Sequence, residues 1–256
     1  GSGNIPASTT TAFTRLLRNL CRDPAMGARV VPIVPDEART FGMDALFRQY
    51  AIYADKGQLY EPVDKNVLLY YRESKDGQVL QEGINEGGAM SSWIVAATSY
   101  STNNVPMIPF YIYYSMFGLQ RVGDLAWLAG DIRARGFLLG GTAGRTTLNG
   151  EGLQHEDGHS HILAGTIPNC ISYDPTFAHE VGVILHHGLK RMVEKQDNVY
   201  FYITLLNENY PMPGLKAGTE EQILKGMYLL EEGAKKTPRV NLLGSGTILR
   251  ESIAAK

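Results

Sequence analysis

The sequence of 256 residues is short of cysteine, of charge of one sign and of long apolar runs. Its two cysteines, Cys21 and Cys170, stand far apart. They make no disulfide framework, and with no secretory leader ahead of them a reducing, cytoplasmic setting is expected. The 24 basic and 26 acidic residues leave a net charge of −2. Without a concentrated basic face a nucleic-acid partner is not expected. The one local basic cluster, Lys235, Lys236 and Arg239, falls in a linker-like stretch and reads as solvated surface. The apolar run Trp93–Thr98 is far too short to cross a bilayer, so no membrane partner is expected either. Phosphate-binding signatures are missing as well: there is no P-loop and no strand–GxGxxG–helix unit, and Gly140–Arg145 lacks the required lysine and following helix. Neither an internal repeat nor a low-complexity tract interrupts the chain.

What the sequence has is a 44% hydrophobic content and enough length to bury about three quarters of its unfolded surface. Apolar periodicity predicts helices at Thr10–Cys21, Phe41–Tyr53, Glu86–Ser101, Leu119–Arg135, Phe177–Val193 and Glu220–Glu231. Strands are predicted at Arg29–Val34, Met107–Tyr113, Phe137–Gly140, Cys170–Tyr173 and Val199–Leu205. Val67–Tyr71 and Gln78–Gln81, flanking Lys75-Asp76-Gly77, read as a hairpin. Strands alternating with helices indicate an α/β fold: a mostly parallel sheet with helices on both faces. Function is then expected in the loops at the carboxyl ends of the strands. Trp93 and Trp127 read as core, and His179, His186 and His187 as helix-surface residues.

Two segments carry chemistry. His155-Glu156-Asp157-Gly158-His159 matches the HExxH zinc motif letter for letter, but that site needs a regular helix, and Asp157-Gly158 would break one. No third ligand stands downstream at the usual spacing; His161 offers a three-histidine alternative, and a polar loop with locally bonded histidines a third. Glu82–Glu86 ends a strand and opens a helix. A glutamate there often serves only the helix dipole. The small residues that follow (Gly87, Gly88, Ala89, Ser91, Ser92), and the aromatic strand Phe110–Tyr114 expected nearby, suit a flat nitrogen heterocycle. Burial beside such a wall would raise the glutamate pKa and let it share a proton with a ring nitrogen.

Over longer stretches the chain becomes recognisable. Gln81–Trp93 (QEGINEGGAMSSW), Tyr100–Gly118 (YSTNNVPMIPFYIYYSMFG) and Gly136–His161 (GFLLGGTAGRTTLNGEGLQHEDGHSH), with Asp36–Gly42 (DEARTFG) and Thr204–Tyr210 (TLLNENY), strongly resemble the middle region of the homodimeric bacterial pyruvate dehydrogenase E1 component. The resemblance runs from about Phe13 to Arg250. It implies the pyrimidine-binding, transketolase-like domain of a thiamine diphosphate-dependent enzyme, which decarboxylates pyruvate and reductively acetylates the lipoyl domain of dihydrolipoyl acetyltransferase. By that resemblance Glu86 bonds the aminopyrimidine and Phe117 stacks on it. Tyr114 lies in the active centre, and Asp36 and Glu37 lie near the cofactor. Glu151 and His155 are polar groups on the substrate side, with His155 assisting proton movement or lipoyl acetylation.

The family holds the diphosphate through Mg²⁺ on a GDG…N motif, which this sequence lacks. Gly123-Asp124-Leu125 and Gly130-Asp131-Ile132 have no second glycine, so the metal ligands are expected outside the chain. The expected organisation is a leading scar and linker over 1–9, the pyrimidine-binding domain over 10–232, a linker over 233–239, and the start of a truncated C-terminal domain over 240–256, opened by a strand at Val240–Leu243. Such a piece is expected to be inactive alone. The alternatives are the E1 of another 2-oxo acid dehydrogenase, a transketolase-like enzyme, or a non-enzymatic dimerisation module.

Overall fold

A computed structural model describes residues 5–35, 37–63, 71–144, 152–233 and 240–256. Helix α1 (Thr9–Cys21) opens on Ser8, whose hydroxyl accepts the Thr11 amide at 3.0 Å, satisfying one of the free donors of the first turn. Then come β1 (Val30–Val34), α2 (Asp44–Tyr50), β2 (Ile52–Tyr53), β3 (Glu73–Ser74), β4 (Leu80–Gln81), α3 (Glu86–Thr102), β5 (Ile108–Tyr114), α4 (Gly118–Asp131) and β6 (Phe137–Gly141). The described chain continues with α5 (Ser160–Gly165), β7 (Cys170–Tyr173), α6 (Ala178–Leu189), β8 (Tyr200–Thr204), α7 (Glu220–Leu224) and α8 (Ile248–Ala254).

Six strands form one sheet in the order β4-β1-β5-β6-β8-β7, with every ladder parallel. Both of its faces are buried, and the alternation of side chains divides the core in two. Phe110 and Ile112 of β5, Phe137 and Leu139 of β6, and Phe201 and Ile203 of β8 pack with α1 and α6 on one face. Phe110 and Phe137 stack there at 4.7 Å. Tyr111, Tyr113, Leu138, Tyr200 and Tyr202 point to the other face, with Trp93 of α3 and Val122 and Ala126 of α4. The Trp93 indole donates to the Phe137 carbonyl at 3.0 Å, giving a fully buried side chain its polar partner. The doubly covered parallel sheet expected from the alternating pattern is therefore the architecture observed.

Several local expectations change. The turn at Asp76-Gly77 forms, with the Gly77 amide on the Ser74 carbonyl at 3.0 Å, but it does not close a hairpin. Residues 78 and 79 run alongside 50–53: Gln78 N–H donates to Tyr50 and Val79 N–H to Ala51, at 2.9 and 3.1 Å. β4 then joins β1 in parallel, while β3 pairs with β2. Residues 67–70 of the expected first hairpin strand lie outside the described residues. The helix expected over 41–53 is confined to α2, because Ala51 adopts a φ of 53° and turns the chain into β2. α7 stops at Leu224, where Gly226 with a φ of 85° breaks the helix. Val240–Leu243 is exposed and joins no strand, whereas 245–250 fasten onto the domain: Ser245 Oγ bonds Asp174 at 2.8 Å and Arg250 pairs with Glu208. Trp127, expected in the core, is 45% exposed on α4. Among the described residues no helix is long and apolar enough to cross a membrane.

Gly118 and Gly123 offer a paired test of packing on α4. A Cβ at Gly118 would stand 1.8 Å from the Tyr113 ring, whereas one at Gly123 would meet nothing within 4 Å. Gly118→Ala is expected to cost about 1–3 kcal/mol by overpacking. Gly123→Ala is expected to be neutral or to stabilise by up to about 1 kcal/mol. Thermal melts of the two variants beside the parent check both signs.

Candidate functional site

The residues singled out by the sequence gather where β5 and β6 end. β5 is buried as far as Tyr113, and Tyr114, its last residue, is the first to reach partial exposure. The chain then turns through Ser115–Phe117 into α4, which places the Phe117 ring 6.2 Å from the Tyr114 ring, edge to face. β6 ends in Gly140-Gly141, and each is a close approach that only glycine allows. A Cβ at Gly140 would meet the Tyr202 hydroxyl at 2.3 Å, and one at Gly141 the Phe41 ring at 2.5 Å. Phe41 in turn packs on Tyr114 at 5.0 Å.

His155 comes to this place from the long loop after β6. It ends a single 3-10 turn, Leu153–His155, and its imidazole lies flat on Tyr114, with centroids 4.6 Å apart and planes 6° apart. It also meets Phe117 edge to face at 5.1 Å. Its Nδ1 is buried with no hydrogen-bond partner among the described residues. The Tyr114 hydroxyl donates to the Glu37 carboxylate. On the far side of Phe117, Glu86 occupies the first turn of α3, behind Asn85, whose side chain accepts the Gly88 amide at 3.0 Å. Gly88 is needed there, since a Cβ would stand 2.6 Å from the Asn85 amide. Glu86 is largely buried, at 18% side-chain exposure, and pairs with Arg121 of α4. The Arg121 guanidinium lies over the Phe117 ring, 4.3 Å from its centroid. Glu37, Tyr114, His155, Phe117, Arg121 and Glu86 thus form one contiguous set of contacts.

The structure brings together five of the seven residues expected from sequence, namely Glu37, Glu86, Tyr114, Phe117 and His155. Asp36 and Glu151 lie outside the described residues. Arg121 was not anticipated. Its signal was present, since it stands one helical turn after Phe117 and therefore on the same face, but its pairing with Glu86 depends on how α3 packs on α4. Burial raises the Tyr111 phenol above its ordinary value, and the charges of Glu86 and Glu82 add to the effect. That hydroxyl is buried without a partner beneath the site.

The HExxH letters do not form a zinc site. They leave the 3-10 turn at Glu156, which is extended, and α5 begins only at Ser160, so the two histidines never share a helical face. Among the described residues no three His, Cys, Asp or Glu side chains gather to hold a metal. What the segment builds instead is an anchored turn. Asp157 Oδ1 accepts the amides of His159 and Ser160 at 3.1 and 2.9 Å, and Oδ2 accepts the Ser160 hydroxyl. Burial pushes the Asp157 carboxyl up, but the hydrogen bonds from the Ser160 hydroxyl and from the two amides outweigh it and hold the group below its ordinary 3.8. A depressed carboxylate stabilises the fold fully above the unfolded pKa and loses that contribution as pH falls through the folded value. Melting temperature followed from about pH 5 down to about pH 2 should therefore fall less steeply for Asp157→Asn than for the parent; parallel curves would show that Asp157 does not contribute to the acid limb.

His161 stands apart from this group. Its Nε2 lies 3.1 Å from Thr204 Oγ1, which also bonds Asp174 at 2.7 Å. His179 and His187 are half-buried on α6 and His186 is exposed, as their helix-surface reading expected.

The chain matches the family model described as the pyruvate dehydrogenase E1 component middle domain over residues 1–213. It is 66% identical to the pyruvate dehydrogenase E1 component of Pseudomonas aeruginosa over 252 residues, 98% of this chain and 29% of that protein. It is 65% identical to that of Escherichia coli K12 over 246 residues, 95% of this chain and 28% of that one. The chain thus spans under a third of the length of these curated relatives. Among solved structures, a Pichia stipitis transketolase variant in complex with fructose 6-phosphate superposes with a TM-score of 0.65 at 12% identity, over 92% of this chain and 30% of that one. The Campylobacter jejuni transketolase gives 0.60 at 11% identity, over 83% and 27%. At such identities the likeness concerns the fold, which is transketolase-like.

Proposed function

The chain belongs to the pyruvate dehydrogenase E1 component middle-domain family, and we propose that it supplies the aminopyrimidine-binding half of a thiamine diphosphate site in an enzyme that decarboxylates pyruvate. The observation that carries this reading is the convergence of Glu86, Phe117, Tyr114 and His155 at the carboxyl end of the sheet. That donor set suits the pyrimidine end of the cofactor: one largely buried carboxylate for a ring nitrogen, and one flat apolar ring to stack on. It does not suit the diphosphate end. Because the sequence carries no GDG…N motif, this reading assigns Mg²⁺ and its ligands to the part of the enzyme beyond this chain.

Thiamine diphosphate, when bound, supplies the electron sink for loss of CO₂ from a 2-oxo acid. This chain's residues prepare it. Glu86, held at the first turn of α3, would bond a pyrimidine ring nitrogen and share its proton. Tyr114, with its hydroxyl on Glu37, presents its ring to His155 and so sets the plane of the imidazole. His155 presents its imidazole on the side from which pyruvate and then the lipoyl group of the acetyltransferase would approach. Asp36 and Glu151 complete the acidic and substrate-side groups in this reading. The remaining partner is a second copy of the full-length enzyme, as a cytoplasmic homodimer.

Two measurements test the assignment. The chain by itself is expected to turn over no pyruvate, because half of the cofactor site is missing; turnover at a rate like that of a complete E1 contradicts the proposal. In a full-length E1 carrying this chain as its middle domain, Glu86→Ala should slow exchange of the thiazolium C2 proton for deuterium by about 10²–10⁴-fold, the usual contribution of a positioned acid–base group. An unchanged exchange rate removes Glu86 from the role given to it.

A further inference from the structure

His155 is held in place by very little of its own. Gly152, Leu153 and Gln154 ahead of it are exposed, and so is Glu156 behind it. Among the described residues its amide bonds within its own turn, to the Gly152 carbonyl at 3.1 Å, and its Nδ1 has no partner. The ring contacts with Tyr114 and with Phe117 are worth about 0.5–1.5 kcal/mol each. Ordering the chain costs about 1–2 kcal/mol for every residue fixed. The ring contacts therefore cannot by themselves fix the surface loop that runs from Gly152 to Ser160.

Two residues downstream stands Asp157, 3% exposed. Its carboxylate accepts the His159 amide, the Ser160 amide and the Ser160 hydroxyl, and lies 3.8 Å from the His159 ring nitrogen Nδ1. Each hydrogen bond to a charged acceptor contributes about 1.5–3 kcal/mol, so this one side chain outweighs the stack. It ties the loop to the start of α5, whose buried Ala164 packs into the core face shared with Tyr113 and Tyr202. Two residues of chain reach at most about 7 Å, which confines His155 close to that anchor.

We propose that Asp157 is the positioning residue for His155: by locking the turn 157–160 to α5 it sets the 3-10 turn that lays the imidazole on Tyr114. The importance of that placement for turnover rests on the function proposed above; the placement itself does not. The rest of what reads as a metalloprotease motif thus acts as a mount for its own first histidine.

The test reads the ring protons of His155 by NMR in this chain. Stacking on Tyr114 places them in the ring current and shifts them upfield. In Asp157→Ala that shift is expected to vanish, leaving His155 like an exposed histidine, while His179, His186 and His187 on α6 keep their positions as internal references. Asp157→Asn, with the same shape and one acceptor oxygen, should lose part of the shift. His155 resonances unmoved in both variants overturn the proposal. Should Asp157→Ala move the reference histidines too, it has unfolded, and Asp157→Asn decides by the same criterion. In a full-length E1 carrying this chain, Asp157→Asn is expected to lower kcat by up to about a hundredfold, the cost of a misplaced catalytic group, with KM for pyruvate changed less than kcat; a KM effect with kcat intact overturns the positioning role. His155→Ala without effect on turnover would sink the functional reading and leave the NMR result on Asp157 standing.

Discussion

Covering both faces of a parallel sheet leaves its chain only one place to expose chemistry, and the rest of this molecule follows from that constraint. Tyr111 and Tyr113 are sealed between β5 and the helices α3 and α4, and Phe110 and Ile112 are sealed against α1 and α6. Only at Tyr114 does an aromatic of β5 reach partial exposure. The adjacent strand ends in two glycines, which let Tyr202 and Phe41 close up beneath the same spot. The floor of the site is thus an extension of the core, and its rigidity comes from packing rather than from polar bonds. Charged and proton-carrying groups are then added from three separate directions: Glu37 from the loop after β1, Glu86 and Arg121 from α3 and α4, and His155 from the loop after β6.

This division explains which features were legible in the sequence. α3, expected over Glu86–Ser101, runs from Glu86 to Thr102, and β7 is found at Cys170–Tyr173 as expected. These signals are local. The hairpin at Asp76-Gly77 failed for the complementary reason. The turn chemistry was right, but the choice of strand partners was made by distant edges, Ile52 for Val79 and β1 for Leu80, which no local pattern encodes. Trp127 shows the limit of apolar periodicity: it follows the helical repeat of α4 yet emerges half-exposed, because the buried stripe runs through Val122, Ala126 and Ala129 instead. Val240–Leu243 has strand-like composition but no neighbour to pair with among the described residues.

Within the site the same distinction applies. Glu86, Phe117, Tyr114 and His155 were named by long matched segments, and their meeting could not have been derived from spacing. The resemblance to HExxH shows how the two levels interact. As letters the motif says zinc; as physics it contains Asp157-Gly158, a turn former that ends helices. The observed structure obeys the physics. Asp157 folds back on the amides of His159 and Ser160, and the two histidines part company, His155 towards Tyr114 and His159 towards the base of α5.

Arg121 poses the sharpest question for how such a site accepts a ligand. One guanidinium neutralises Glu86 and covers Phe117, the two groups a heterocycle would need together. Its hold is weak on both counts. A partly exposed ion pair contributes about 0–1 kcal/mol and an exposed cation–π contact about 0.5–1 kcal/mol. A ring stacking on Phe117 and bonding to Glu86 restores interactions of comparable size, so moving Arg121 aside is close to neutral in free energy. The guanidinium keeps a largely buried carboxylate paired and an aromatic face covered, which prevents local collapse, without opposing a ligand strongly. On the proposed function, affinity must therefore come chiefly from the other end of the cofactor, for which the described residues gather no metal-binding cluster.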